Sequence, residues 1–369
     1  MSPAATPIER FAGNVLAYLA RYEGANANAL ARNLDAGIEA VDAGSTWLPV
    51  TVNHGEAGNA WVCSPRSTYI DYAAEEARRL LPAAIGRPLA GLCGQLARLA
   101  DACALDRAVA LNNWCLSTNL YPPLASLDID RAIDQARQRW PQHALWLRSL
   151  NRHDNGDWLD ALQARGFVLI ASRQVWLYPD LDAAARLPNM RADARLLQRQ
   201  DLHWCDNAAI RAEDAPRIAQ LYAQLYLGKY SRWNPDYRPQ MIADWHRDGL
   251  LRLEGWRDDA GQLQCIAGMF GTEHHVSTPI VGYDTAAPAR LALYRTLTAT
   301  SYRQARLSQR HLNLSAGAAR FKRLRGGQAA IEYSAVWAPP QARRTRALLH
   351  ALGLLTRRLG EPLMRHYRL

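Results

Sequence analysis

Two stretches of the chain read alike although they stand nearly half its length apart. Residues 145–178, LWLRSL-NRHDNGDWLDALQARGF-VLIASRQVWLY, and residues 312–337, LNLSAGAARFKRLRGG-QAAIEYSAVW, each give a strand, a polar link, an amphipathic helix with a basic end, a glycine and a strand that closes near a tryptophan. A repeat of about 180 residues is too long for a solenoid and points to duplication of a whole domain. The 369 residues also exceed one ordinary core and suit two domains of roughly 150–180 residues. With 49% hydrophobic and 21% charged residues, the composition is that of a folded chain.

The second half carries the clearer patterning. Asp214 and Pro216 open a helix whose Ile218, Leu221, Tyr222 and Leu225 share one face, and Pro239–Asp248 fits a second, short helix. LLRLEGW and LQCIAGMF, joined across Asp258–Gly261, read as a β-hairpin, followed by a third strand around Pro279–Tyr283. A helix then runs from beyond Pro288 to about Arg306. HLNLS is a short strand, Ala318–Leu324 a helix stopped by Gly326-Gly327, and IEYSAVW the closing strand. In the first half, RAVALNNWCLST, ALWLRSL and VLIASRQVWLY read as strands, with helices over DIDRAIDQARQRW and DWLDALQARGF. Pro179–Asp201 reads as a linker. The predicted architecture is α/β (α+β), with domains at 1–180 and 200–340, each a mixed, mostly antiparallel sheet flanked by helices. A basic amphipathic helix over 341–369 completes it, with seven arginines against one acid.

Two segments resemble a known superfamily. ALQARGFVLIASRQVWLY is similar to the end of many GNAT domains, and LNLSAGAARFKRLRGGQAAIEYSAVW to the corresponding part of FemAB-like tandem-GNAT N-acyltransferases, where a small-residue loop precedes a helix bearing an aromatic-Lys pair and a Gly. The resemblance implies transfer of an acyl or aminoacyl group from an activated donor to an amine, with the working site in the second half and a structural first half. It also implies a tyrosine acid five residues before the Phe of the Gly-Phe run. That position is Leu162 in the first half, and its nearest equivalent in the second is Phe321, so Tyr283, Tyr294 or Tyr333 would have to substitute. The Gly-rich turn that holds pyrophosphate in coenzyme A users is replaced by YDTAAPARLALYR.

The candidate catalytic residues are Glu254, placed like the base of several GNATs or simply a solvated strand carboxylate; His274 of the His274-His275 pair; and Tyr283-Asp284, at a strand end facing the expected acyl site or closing a turn. Candidates for substrate binding are Trp233 and Asn234 in an aromatic loop, Tyr294, and Asn313 and Ser315 at the end of the short strand. Lys322, Arg323 and Arg325 complete the set, unless they serve only the helix dipole. No acidic or cysteine partner stands at ligand spacing from the histidine pair, so spacing points to no metal. The six cysteines read as reduced, buried thiols. Gly326-Gly327-Gln328 spells the tripeptide of peptidyl-tRNA release factors but reads as a helix-terminating turn.

The formal charge is +10, and every cation except Lys229 and Lys322 is arginine, which suits bidentate contact with phosphate or carboxylate. The expected reaction is direct transfer from an acyl-CoA or acyl-carrier thioester, with no tightly bound cofactor, to the amine of a small molecule or peptide. The alternatives are an aminoacyl-tRNA-dependent transferase and a non-catalytic binding protein on the same fold. Partners would be tRNA or an acyl carrier protein. With no apolar run of about 18 residues and no secretory signal at the start, the expected location is the cytoplasm.

Overall fold

The computed structural model describes residues 6–198 and 201–367. In chain order the elements of the first half are α1 (Pro7–Tyr22), β1 (Gly37–Asp42), β2 (Trp47–His54), α2 (Tyr72–Leu80), α3 (Ala83–Ala102), β3 (Arg107–Leu111), α4 (Ile129–Arg139), β4 (Ala144–Asn151), α5 (Gly156–Ala164) and β5 (Val168–Tyr178). Two short helices, α6 (Leu181–Ala185) and α7 (Pro188–Leu196), lead to β6 (His203–Cys205), α8 (Ala215–Ala223), α9 (Pro239–Arg247), β7 (Arg252–Arg257), β8 (Leu263–Gly271) and β9 (His275–Tyr283). Then come α10 (Leu293–Leu307), β10 (His311–Asn313), α11 (Ala319–Arg323), β11 (Gln328–Trp337), α12 (Arg343–Leu355) and α13 (Glu361–Tyr367).

Among the described residues, eleven strands join one sheet, in the order β1-β2-β3-β4-β11-β5-β10-β9-β8-β7-β6. Its two wings are pseudo-symmetric. In the first wing β1, β2 and β3 are antiparallel and β3 runs parallel to β4; in the second, β6 to β9 are antiparallel and β9 runs parallel to β10. The wings meet through an exchange of their closing strands. β11, from the second half of the sequence, inserts between β4 and β5 of the first, and β5 lies between β11 and β10 of the second. The two tandem sheets expected, one to each half, are thereby joined edge to edge into one continuous sheet. The repeat foresaw the two closing strands but carries no signal for which wing each one joins.

One core spans both halves. Phe11 and Tyr18 on α1 pack on Trp114, and Trp114 meets Phe270 of β8 with ring centroids 5.1 Å apart. Tyr18 also packs edge-on against Trp245 of α9 at 5.7 Å. Such aromatic pairs add about 0.5–1.5 kcal/mol each beyond the area they bury.

Other departures from the sequence reading have local causes. The stretch expected to be a linker contains α6 and α7, because Asp180 caps the first through the Ala183 N–H (2.8 Å), Pro188 opens the second, and Met190 and Asp193 are buried; Arg199 and Gln200 lie outside the described residues. β3 stops at Leu111, where Asn112 and Cys115 take left-handed φ values of 51° and 57°. α8 forms with Ile218, Leu221 and Tyr222 buried as expected and runs on as a π-helical turn, Gln224–Tyr230. The C-terminal helix is broken into α12, a π-turn and α13, and Leu348, Leu349 and Leu352 bury against the first wing. All six cysteines are free and buried. Among the described residues no helix is long and apolar enough to cross a membrane.

Helix α8 crosses β9 at Gly282 in direct backbone contact: a Cβ there would stand 2.4 Å from the Leu221 carbonyl carbon and 2.6 Å from the Tyr222 nitrogen. Gly282→Ala should push the helix off the sheet and cost about 3 kcal/mol, at the upper end for overpacking, read as a fall in the urea midpoint at unchanged m-value.

Candidate active site

Beyond Ser277, β9 loses its partner on one side. β10 pairs only His311–Asn313 with His275–Ser277 and then turns away, through left-handed Ser315, Gly317 and Ala318 at φ 58°, 78° and 50°. The rest of β9 on that side is an open edge, whose backbone groups face the gap. The gap widens into a cavity of about 370 Å³, lined by Thr278, Leu314 and Ser315 from the diverging strands, Tyr226, Tyr294 and Lys322 from the second half, and Trp61, Tyr72, Glu76 and Arg173 from the first. This volume is in the range of small-molecule sites. The pseudo-equivalent place over β3 and β4 is filled by Trp61, Trp146 and the buried Arg148, leaving about 10 Å³.

Several titratable groups face this cavity with shifted affinities for protons, Glu76 and Lys322 among them. Glu76, on α2, has its carboxyl pushed up to about 7 because burial penalises the anion, only partly offset by Arg79 and Arg173. Lys322, on α11, is buried, and burial together with the Arg173 charge pushes it down to about 7. Its Nζ donates to the carbonyls of Leu314 (2.7 Å), Ser315 (3.1 Å) and Ala316 (2.7 Å), three acceptors for the three protons of an ammonium. Lys322 thereby fixes the turn through which β10 leaves β9. The Tyr294 ring packs on Phe321 (4.8 Å), and burial raises its hydroxyl far above the usual tyrosine value, so it stays a neutral donor.

The first half builds its side of the cavity around Trp61. The guanidinium carbons of Arg148 and Arg173 lie 4.8 Å and 4.7 Å from the Trp61 ring. Arg173 pairs with Glu332 of β11 (2.8 Å), and Trp61 Nε1 donates to Asn234 Oδ1 (3.1 Å). Asn234 in turn donates to the carbonyls of Tyr226 and Ser231. The aromatic loop thus fastens one half to the other.

Of the residues singled out from sequence, Asn234, Tyr294, Ser315 and Lys322 line the cavity, and the others do not. Glu254 is fully buried on β7 and far from solvated: it accepts from Arg252, Arg303, Gln304 and Trp204 at 2.9–3.3 Å, a knot tying the strand to α10. His274 lies in a separate hollow beside Thr272 and Glu273. The Tyr283 hydroxyl meets Lys229 Nζ at 3.3 Å. Asp284 takes a hydrogen bond from Arg217 (2.8 Å), which holds its carboxyl below the usual range. Trp233 is stacked by Arg232, and Asn313 accepts from the Ser315 N–H (2.8 Å). Arg323 lines an open groove beyond β11 with Arg152 and Trp176, and Arg325 is buried against Asp193. Tyr333, the third tyrosine considered, donates to Glu361 away from the cavity. Glu76, Trp61 and Tyr72 went unforeseen, since α2 and the loop before it show no motif and meet the second half only through tertiary packing; Arg173 lies in the recognised strand β5, where nothing in the pattern marks it from its neighbours.

In this architecture the parallel pair β9–β10 opens beside α8, which lies directly on β9, an arrangement like that of GNAT-fold proteins. The two wings with exchanged closing strands make the fold a tandem of two such units. No protein-family model and no curated protein matches the sequence significantly, so the likeness is one of structure. L-PGS from Bacillus licheniformis is similar over 90% of this chain and 95% of its own, with 11% identity and a TM-score of 0.50. FemX (11% identity, 58% of this chain and 78% of that one, TM-score 0.45) and a tandem GNAT protein from the clavulanic acid biosynthesis pathway (13%, 62% and 75%, 0.36) are also similar.

Proposed function

We propose that the protein is an N-acyltransferase that passes an activated acyl or aminoacyl group to an amine in the cavity between β9 and β10. The observation that carries this reading is the gap itself: an open strand edge, faced by one group that can take a proton near neutral pH and one hydroxyl that can donate a hydrogen bond. The donor carbonyl would lie against the free edge of β9, where backbone N–H groups can polarise it. Glu76 would take the proton of the attacking amine. As the amine nitrogen bonds to the carbonyl carbon and the carbon–sulfur or carbon–oxygen bond breaks, the Tyr294 hydroxyl would hydrogen-bond the departing thiolate or alkoxide, which takes up, through solvent, the proton that Glu76 removed from the amine. Lys322 acts as a positioning residue, by holding the turn that keeps the gap open. In this reading both halves build the site.

A second reading concerns the donor. The segment from Asp284 to the start of α10 has no glycine and enters the helix through Ala292 at φ 49°, a poor cradle for a pyrophosphate. With the net charge of +10, this favours an aminoacyl-tRNA, whose leaving group is a ribose hydroxyl, over an acyl-CoA. One experiment separates the donors and tests the class: melting temperature measured with acetyl-CoA, longer acyl-CoAs and aminoacylated tRNA at two salt concentrations. A rise with a thioester supports the acyl-CoA enzyme, and a salt-sensitive rise with tRNA alone supports the aminoacyl form. No rise with any donor would remove the proposal in favour of a binding protein on this fold.

A further inference from the structure

At the end of the β9–β10 pair opposite the gap, side chains from both halves converge on one point. His275 opens β9, His311 opens β10 directly beside it in register, and Asp154 stands in the turn after β4. Their ligand-capable atoms all lie within 4.8 Å of one another. Asp154 Oδ1 is 3.4 Å from His275 Nε2 and 2.7 Å from His153 Nδ1. The rings of His275 and His311 meet edge to face at 5.3 Å, and the His153 ring is 6.2 Å from that of His311. Three imidazoles around one carboxylate are more nitrogen donors than a single anion needs as partners.

The carboxylate is also held in advance. Its other oxygen accepts from Asn151 Nδ2 (3.1 Å), and its own N–H donates to Asn151 Oδ1 (2.8 Å), so Oδ1 stays turned toward the histidines. This outer contact orients a ligating oxygen. The backbone fixes His311 as well, through a bond from its N–H to the His274 carbonyl (2.8 Å).

From this geometry we infer a divalent transition-metal site, of zinc type, formed by Asp154, His275 and His311, with His153 or water as the fourth ligand. Two imidazole nitrogens and one carboxylate oxygen match the donor preference of Zn2+ and its neighbours. Ligand atoms in a tetrahedral zinc site stand roughly 3.3 Å apart, so closure onto an ion requires movements of about 1–1.5 Å, within the reach of side-chain rotation. The ion would bridge the turn after β4 to the starts of β9 and β10, fastening first half to second at the closed end of the strand pair whose other end forms the cavity. With His153 as the fourth ligand the site is closed and its role structural, and the inference does not rest on the transferase reading.

The test uses the untagged full-length protein, stripped with EDTA and returned to Zn2+ or Co2+. Expected are one Zn2+ per chain by elemental analysis, a Co2+ absorption band of tetrahedral intensity, and a melting temperature raised by about 3–5 °C at a hundredfold excess over Kd. His311→Gln changes an exposed side chain, and Asp154→Asn can keep a hydrogen bond to Asn151. Both should weaken Zn2+ binding at least about 10-fold while melting like the stripped wild type, whereas His274→Gln should bind as wild type does. Substoichiometric metal, or equal affinity in all three variants, would overturn the site and leave the cluster a hydrogen-bonded Asp–His group.

Discussion

Replacing Glu76 by Gln should lower kcat/KM by about 10²–10⁴-fold, the usual contribution of a general base, and abolish the rise in rate with pH. In the wild type the carboxyl titrates near 7, so kcat/KM should climb through that pH and level off above it. The stability effect has the opposite sign. The folded state holds the Glu76 proton more tightly than the unfolded chain, so wild-type stability falls as pH rises from about 4.5 to about 7 and stays lower beyond it. Glutamine carries no charge to desolvate. The variant should therefore match the wild type at pH 4 and exceed it at pH 8 by roughly 1–2 kcal/mol, a figure reduced for partial exposure. Rate profiles and thermal melts at the two pH values check both halves of this prediction. A variant that loses activity and stability together at pH 8 would reassign Glu76 to the packing of α2.

The largest loss of stability is expected at Asp193. This carboxylate on α7 is 1% exposed and holds two arginines from different elements: Arg325, itself buried, binds both its oxygens, and Arg295 of α10 donates at 2.7 Å. Asp193→Ala leaves the Arg325 guanidinium buried without an anion and should cost about 3–5 kcal/mol. Removing charge and partner together, in Asp193→Leu with Arg325→Met, should recover much of that loss, because a well-packed apolar pair avoids the desolvation of two ions. Chemical denaturation of the single and double variants measures it. Lys322→Met belongs to another class: with the three carbonyls of the β10 turn left unpaired, it should reduce turnover more than stability.

Much of this architecture was legible in the sequence because it rests on local pattern. The buried face of α8, the β7–β8 hairpin and the strand, helix and strand closing each half all follow from periodicity and turn residues. Strand exchange was not legible, since Val168–Tyr178 and Gln328–Trp337 are buried strands with no feature that names a partner. The site divides in the same way. Asn234, Tyr294, Ser315 and Lys322 were reached because they sit in or beside segments with a recognisable pattern. Glu76 and Trp61 were not, because their chemistry appears only when the first half folds over the second. Glu254 shows the reverse: a carboxylate between Leu253 and Gly255 alternates like a solvated strand residue, and only the distant Arg303 and Gln304 explain its burial.

The placement of β11 between β4 and β5 also bears on how the chain is made. During synthesis the first wing emerges with its sheet open between β4 and β5, two long apolar edges waiting for a strand that lies some 160 residues further along. Closure of such a non-local gap is slow, and until it occurs the exposed edges invite pairing with other nascent chains. Neither half is then expected to fold when cut free and expressed alone, and a ribosome stalled before Gln328 should hold a chain whose first wing still lacks the strand between β4 and β5.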